Sequence, residues 1–228
     1  RLQFGVRSPM SWSPDGQRIY YGRSSRDNPH WSYQFDIYEY DLEKHDEKRI
    51  TSGLRAVSPA VSPDGSSLVF VITRDGTTNL AVTKIDGSDL KVITPYANGE
   101  QVYNPRWSPA GDRIVFDFSL KDGRDIVVVN PDGTGLRFLV TGPDDSRTAI
   151  FTPDGSRIVF SSDKTGIFNL YSYDLNSGKT DQVTNVLGGA FMPAVNAAGD
   201  IVYAGYTSGG YKFFQMTKPG VLPEGEYH

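Results

Sequence analysis

The sequence predicts an all-β fold, a β-propeller of five four-stranded blades, and three observations carry that expectation. A turn motif recurs five times at nearly constant spacing. Each copy is followed by the same succession of short β-rich runs. No segment has the apolar spacing of a sustained amphipathic helix.

The turn reads SPDG at residues 13–16 and 62–65, SPAG at 108–111, TPDG at 152–155 and NAAG at 196–199. Its glycines, Gly16, Gly65, Gly111, Gly155 and Gly199, are 49, 46, 44 and 44 residues apart. Proline presets φ for a type I turn, Asp accepts hydrogen bonds from nearby amides, and Gly tolerates positive φ. The motif is therefore a strand reversal, and its Asp residues need no catalytic explanation.

A large apolar residue precedes each turn: Trp12, Val61, Trp107, Phe151 and Val195. These are expected to pack against a neighbouring unit. A β-rich run follows (Ile19-Tyr20-Tyr21, Leu68-Val69-Phe70, Ile114-Val115-Phe116, Ile158-Val159-Phe160 and Ile201-Val202-Tyr203), and then a second run. Asp36, Asn79, Asp125 and Asn169 introduce that second run in four units, with Lys212 in the fifth. A polar turn and a short closing strand (RIT, VIT, FLV or QVT) complete the first four units. Four short strands per roughly 40–45 residues is the period of a propeller blade. One blade cannot bury both faces, so stacking around an axis supplies the core.

The units are expected at about 6–51, 52–94, 95–140, 141–184 and 185–218, with 219–228 as a tail or linker. The fifth unit has three strands. Residues 1–5 stand in phase with a closing strand, since Arg1 lies 14 residues before Asp15 and Arg49 lies 15 before Asp64. The N-terminal strand is therefore expected to complete the fifth blade and remove an open sheet edge. The alternative is a partial ring within a six- to eight-bladed propeller. Absence of an initiator Met and of a signal peptide suggests a mature or excised segment, a monomeric domain of a larger protein.

Composition excludes several classes of function. The 228 residues are 38% hydrophobic and 12% aromatic, enough to bury a core. A net charge of -4 argues against nucleic-acid binding, which needs a basic surplus. No apolar stretch approaches the ~20 residues that span a bilayer. With no cysteine there is no disulfide framework, thiolate metal site or cysteine nucleophile. No G-x-S-x-G elbow occurs, and His30, His45 and His228 form no metal-spaced pair. These features predict a binding protein rather than an enzyme, without cofactor. The Asp- and Gly-containing loops 74–79 and 121–125 offer at most an adventitious calcium site, because their spacing does not match an EF-hand.

Two surfaces are candidates for a protein or peptide partner. The segments entering the innermost strands bring Arg7, Arg55, Tyr103, Arg147 and Phe191 to the mouth of the channel. Basic and aromatic groups there suit an acidic segment or a chain terminus. The bland alternative is a water-filled channel lined by solvated groups. The second surface is the long loop 24–35, which carries Trp31 and Tyr33 among other aromatics. Exposed aromatics favour partner contact, although Trp31 and Phe35 can also fold back over the blade edge.

The string W-S-P-D-G-x-x-I, the Ser-Ser-Asp ending of the next strand and Asn-Leu-Tyr-x-x-Asp-Leu-x-x-Gly, closest at residues 152–178, resemble the TolB-like propeller repeat family. The resemblance extends over the whole chain. Stretches such as NPRWSP and TNVLGGAFMPAV are similar to propellers that form the soluble part of larger bacterial envelope proteins. The resemblance implies a periplasmic, non-catalytic scaffold. It leaves a second possibility, a propeller that accompanies or gates a serine hydrolase or peptidase.

Overall fold

A computed structural model describes residues 6–25 and 34–222. It contains nineteen strands in five antiparallel sheets. The first is formed by β1 (Val6–Trp12), β2 (Arg18–Ser25), β3 (Gln34–Asp41) and β4 (Asp46–Arg49). The second contains β5 (Val57–Val61), β6 (Ser67–Arg74), β7 (Thr77–Lys84) and β8 (Lys91–Val92). β9 (Gln101–Trp107), β10 (Ile114–Ser119), β11 (Asp125–Val129) and β12 (Arg137–Val140) make the third. β13 (Ser146–Phe151), β14 (Arg157–Ser162), β15 (Asn169–Asp174) and β16 (Thr180–Gln182) make the fourth. The last comprises β17 (Ala190–Val195), β18 (Ile201–Thr207) and β19 (Gly210–Met216). Each sheet is a meander in sequence order. The first strands β1, β5, β9, β13 and β17 touch in succession and line the axis. The fold is a five-bladed β-propeller. The expected closure by residues 1–5 lies outside the described residues.

The cores lie between blades, and strand alternation assigns each side chain to one of them. On β6, Leu68 and Phe70 face the first blade, where they pack with Tyr20 and Ile37. Val69 and Val71 face the third blade, joining Ile114, Phe116 and Val127. Val115 and Ile126 meet Ile158 and Phe160, and Val159 and Leu170 meet Ile201 and Tyr203. Ile37, Leu80, Ile126 and Leu170 occupy equivalent register positions on the third strands and are fully buried. Phe213 holds that position in the fifth blade and is 86% exposed.

The residues before the turns pack as expected in four units. Val61, Trp107, Phe151 and Val195 each join the cluster shared with the preceding blade. Trp12 departs from that expectation and is 57% exposed, because no preceding sheet covers it among the described residues.

Where the turn motif degenerates, other residues supply its hydrogen bonds. In the first unit the Ser13 hydroxyl accepts from the Arg18 amide at 2.9 Å, and Asp15 accepts from the Gln17 amide. In the third unit Ala110 stands where the other turns carry the carboxylate. Asp112, two residues on, takes over its role and accepts from the Ser108 hydroxyl at 2.6 Å. In the fifth, the Asn196 side-chain oxygen accepts from the amides of Ala198 and Asp200.

An Asp or Asn at or near the start of the third strand ties it to the end of the blade. The Thr51 hydroxyl donates to Asp36 and accepts from the Ile37 amide, both at 2.9 Å. Thr94 with Asn79 and Leu80, and Thr184 with Asn169 and Leu170, repeat the arrangement. The third blade has Val140 where the threonine would fall, fifteen residues after Asp125. There burial pushes the Asp125 carboxyl up. Replacing Thr94 by valine should leave the buried Leu80 amide unsatisfied and cost about 1–3 kcal/mol. Urea unfolding measures this, and an unchanged midpoint would show that the tie is not structural.

Candidate functional site

The inner strands are not regular. Register shifts interrupt the pairing of β1, β5, β9, β13 and β17 with their neighbours. In four blades the residue three before the apolar position, Ser58, Asn104, Thr148 or Met192, has φ between 50 and 55°. The first blade has Pro9 at this position, whose ring forbids that conformation. Positive φ in a residue other than glycine costs about 1–3 kcal/mol and is concentrated at sites that bind ligands. The bulges turn the strand so that Asn104, Thr148 and Met192 line a cavity of about 530 Å³ on the axis.

At the entry end of this channel a chain of cations and rings crosses three blades. The Arg124 guanidinium lies 4.4 Å from the Tyr103 ring centroid and 3.8 Å from both Asp117 and Asp145. Asp145 pairs with Arg147 at 2.9 Å. Arg147 stacks over Phe168 at 4.1 Å, and Phe168 meets Phe191 with centroids 5.1 Å apart. Phe191 continues to the exposed Tyr211 at 6.0 Å.

The structure thus brings together Tyr103, Arg147 and Phe191, each four residues before the apolar position of its unit. Arg55 lies ahead of β5, is exposed and has φ 51°. Arg7 falls within β1. Trp31 and Tyr33 lie outside the described residues. The linking residues Arg124, Asp145 and Phe168 stand in connections between strands, where sequence reading singled out none of them. Tyr103 stands at one end of the network and Arg147 near its middle.

Behind this rim lies Asp117, fully buried on β10. One of its oxygens accepts from the Asn104 side-chain amide at 2.7 Å and from the Thr148 amide at 3.0 Å. The other oxygen is buried without a hydrogen bond. Burial is the largest influence and pushes the carboxyl up to about 6, against the opposing effects of Thr148, Asn104 and Arg124. Among the described residues, no group of three His, Asp or Glu is placed to hold a metal ion. That includes the loops 74–79 and 121–125.

A ring of short sheets around a channel, with a cation- and aromatic-lined entry, defines a β-propeller. Residues 96–220 match the model of the TolB beta propeller domain, and the chain belongs to that family. Among its relatives is the Tol-Pal system protein TolB of Francisella tularensis, 29% identical over 163 residues, covering 71% of this chain and 36% of that protein. The TolB homolog of Chlorobium luteolum is 29% identical over 125 residues, 55% of this chain and 28% of the homolog. An uncharacterized peptidase of Bacillus subtilis is 27% identical over 192 residues, covering 68% of this chain and 29% of the peptidase. The chain therefore spans about a third of the length of these curated relatives. The solved structure of a putative TolB from Agrobacterium tumefaciens aligns with a TM-score of 0.76 at 18% identity, covering 94% of this chain and 79% of that one.

The buried acid gives a pH test. Its folded pKa lies above the unfolded value of 3.8, so the native state retains a proton that the unfolded chain releases. The resulting stabilisation is complete below about pH 4 and disappears as pH rises through about 6. Relative to Asp117→Asn, the wild-type protein should therefore lose melting temperature between pH 4 and 7. A constant difference across that range would mean that Asp117 titrates normally.

Proposed function

We propose that this propeller is a non-catalytic scaffold of the bacterial cell envelope, working in the periplasm, that holds a protein or peptide partner at its channel entry. The observation that carries this reading is the continuous rim Tyr103–Arg124–Asp145–Arg147–Phe168–Phe191. Its cations are held over rings and between carboxylates, so a partner meets them already oriented. Aromatic and arginine side chains are the residues that contribute most to protein contacts. Kinship with a Tol-Pal system protein supports the envelope setting. Trp31 and Tyr33 of the loop 24–35 belong to this reading as a second contact.

Capture of a partner from envelope extract tests the proposal. Arg147→Ala and Phe191→Ala should each weaken capture at least tenfold, with Trp31→Ala weaker in effect. Undiminished capture by both rim variants would place the contact elsewhere.

The likeness to a peptidase over 192 residues favours one alternative, that the propeller accompanies or gates a hydrolase within a longer protein. A serine-reactive phosphonate probe applied to the full-length protein separates the two. Covalent labelling would support the hydrolase reading.

A further inference from the structure

The rim is one end of the channel. Deeper in lies a cation that no residue of the rim engages. Arg106 sits on β9, one residue before Trp107. The equivalent residues of the other blades are Ser11, Ala60, Ile150 and Ala194, all small or apolar. Among the described residues, Arg106 is thus the one charged side chain at this position of the inner strands.

Two cavities meet at this side chain. One is the bulge-lined cavity already described, of about 530 Å³. The other, about 360 Å³, opens at the turn end between Met10, Trp12, Pro63 and Pro109. Arg106, Trp107 and Phe151 line both.

The guanidinium is poorly matched to these surroundings. One nitrogen donates to the carbonyl of Pro105 at 3.1 Å. Among the described residues, no carboxylate lies within ion-pair distance of it. Asp117, the acid that influences it, is turned toward Asn104, Thr148 and Arg124. A guanidinium has five donors, and Arg106, partly buried, presents the unpaired ones to the two cavities. Water and an entering anion are the groups that can satisfy it here.

We propose that Arg106 is a carboxylate receptor inside the channel, and that the segment it admits is an acidic peptide with an apolar residue beside its carboxylate. This rests on the channel-binding reading above and names the group recognised. The apolar requirement follows from the lining. Met10, Trp12 and Met192 are 49%, 57% and 68% exposed around the cation. Thioether side chains adapt to varied apolar shapes. An acidic sugar fits less well, because its hydroxyls need free polar partners. The exposed side chains around the cation, Met10, Trp12 and Met192, are mainly apolar.

The test measures fluorescence anisotropy of three dye-labelled pentapeptides with the 228-residue protein. Two are acetylated, amidated and identical except for glutamate or glutamine beside a leucine. The third is the glutamine peptide with a free C-terminal carboxylate. The glutamate peptide should bind about tenfold more tightly than its neutral twin, and added NaCl should reduce that advantage. The third peptide shows whether a chain terminus serves equally. Arg106→Gln should erase the preference, while Arg106→Lys, a point charge without the planar fork, should keep part of it. Thermal melts establish that both variants fold, and if Arg106→Gln does not, Arg106→Lys decides by whether the preference falls. Equal affinity for all three peptides, or a preference that survives in folded Arg106→Gln, would overturn the proposal. So would tighter, Arg106-dependent binding of tetragalacturonate. Partner capture that persists in Arg106→Gln while failing in Phe191→Ala would sink the carboxylate site and leave the scaffold reading standing.

Discussion

Apolar contact between one small sheet and the next is the constraint on which this molecule depends. A four-stranded antiparallel sheet has two faces, and here both carry apolar side chains. Leu68 and Phe70 point one way along β6, Val69 and Val71 the other. Such a sheet alone in water would leave both sets uncovered. Turning each sheet to meet its successor buries them, at roughly 25 cal/mol per Å² removed from water. The same positions recur from blade to blade: Tyr20, Val69, Val115 and Val159 are at most 2% exposed, whereas Val202, which has no sheet beyond it among the described residues, is 38% exposed.

The site is a consequence of that stacking. When flat faces are occupied by neighbours, the free surfaces are the two ends of the channel and the edges. Inner strands converge on the axis, and their bulges aim Asn104, Thr148 and Met192 inward at some backbone cost. The rim crosses blades because successive inner strands begin at the same end. Arg124 comes from the third blade and Arg147 and Phe168 from the fourth, and they meet Phe191 of the fifth. Blade packing therefore holds the relative positions of groups that no single blade contains.

The fold was legible because its signals are local. A Pro-Asp-Gly reversal and an alternating run declare themselves within about ten residues, and their repetition supplies the architecture. Tyr103, Arg147 and Phe191 were legible because each precedes a recognisable apolar landmark by the same interval. Arg124, Asp145 and Phe168 were not, since their importance comes from contacts across blades. The positive φ of Ser58, Asn104 and Met192 gave no signal either, because each stands before a proline that disfavours helical backbone without specifying a bulge. Thr51, Thr94 and Thr184 were visible only as the ends of closing strands, until the structure linked them to Asp36, Asn79 and Asn169. Trp12 misled in the opposite sense: its sequence context matches buried residues, and its exposure depends on what lies beside it.

The most direct measurement compares truncations at one register position in different blades. Leu80→Ala, Ile126→Ala and Leu170→Ala each remove side chains clamped between sheets and should lower the unfolding free energy by about 2–5 kcal/mol in urea. Phe213→Ala removes a larger side chain from the same position, which no sheet covers among the described residues, and should cost less than about 1 kcal/mol. A loss at Phe213 as large as at the other three would contradict the claim that contact between blades is what holds this protein together.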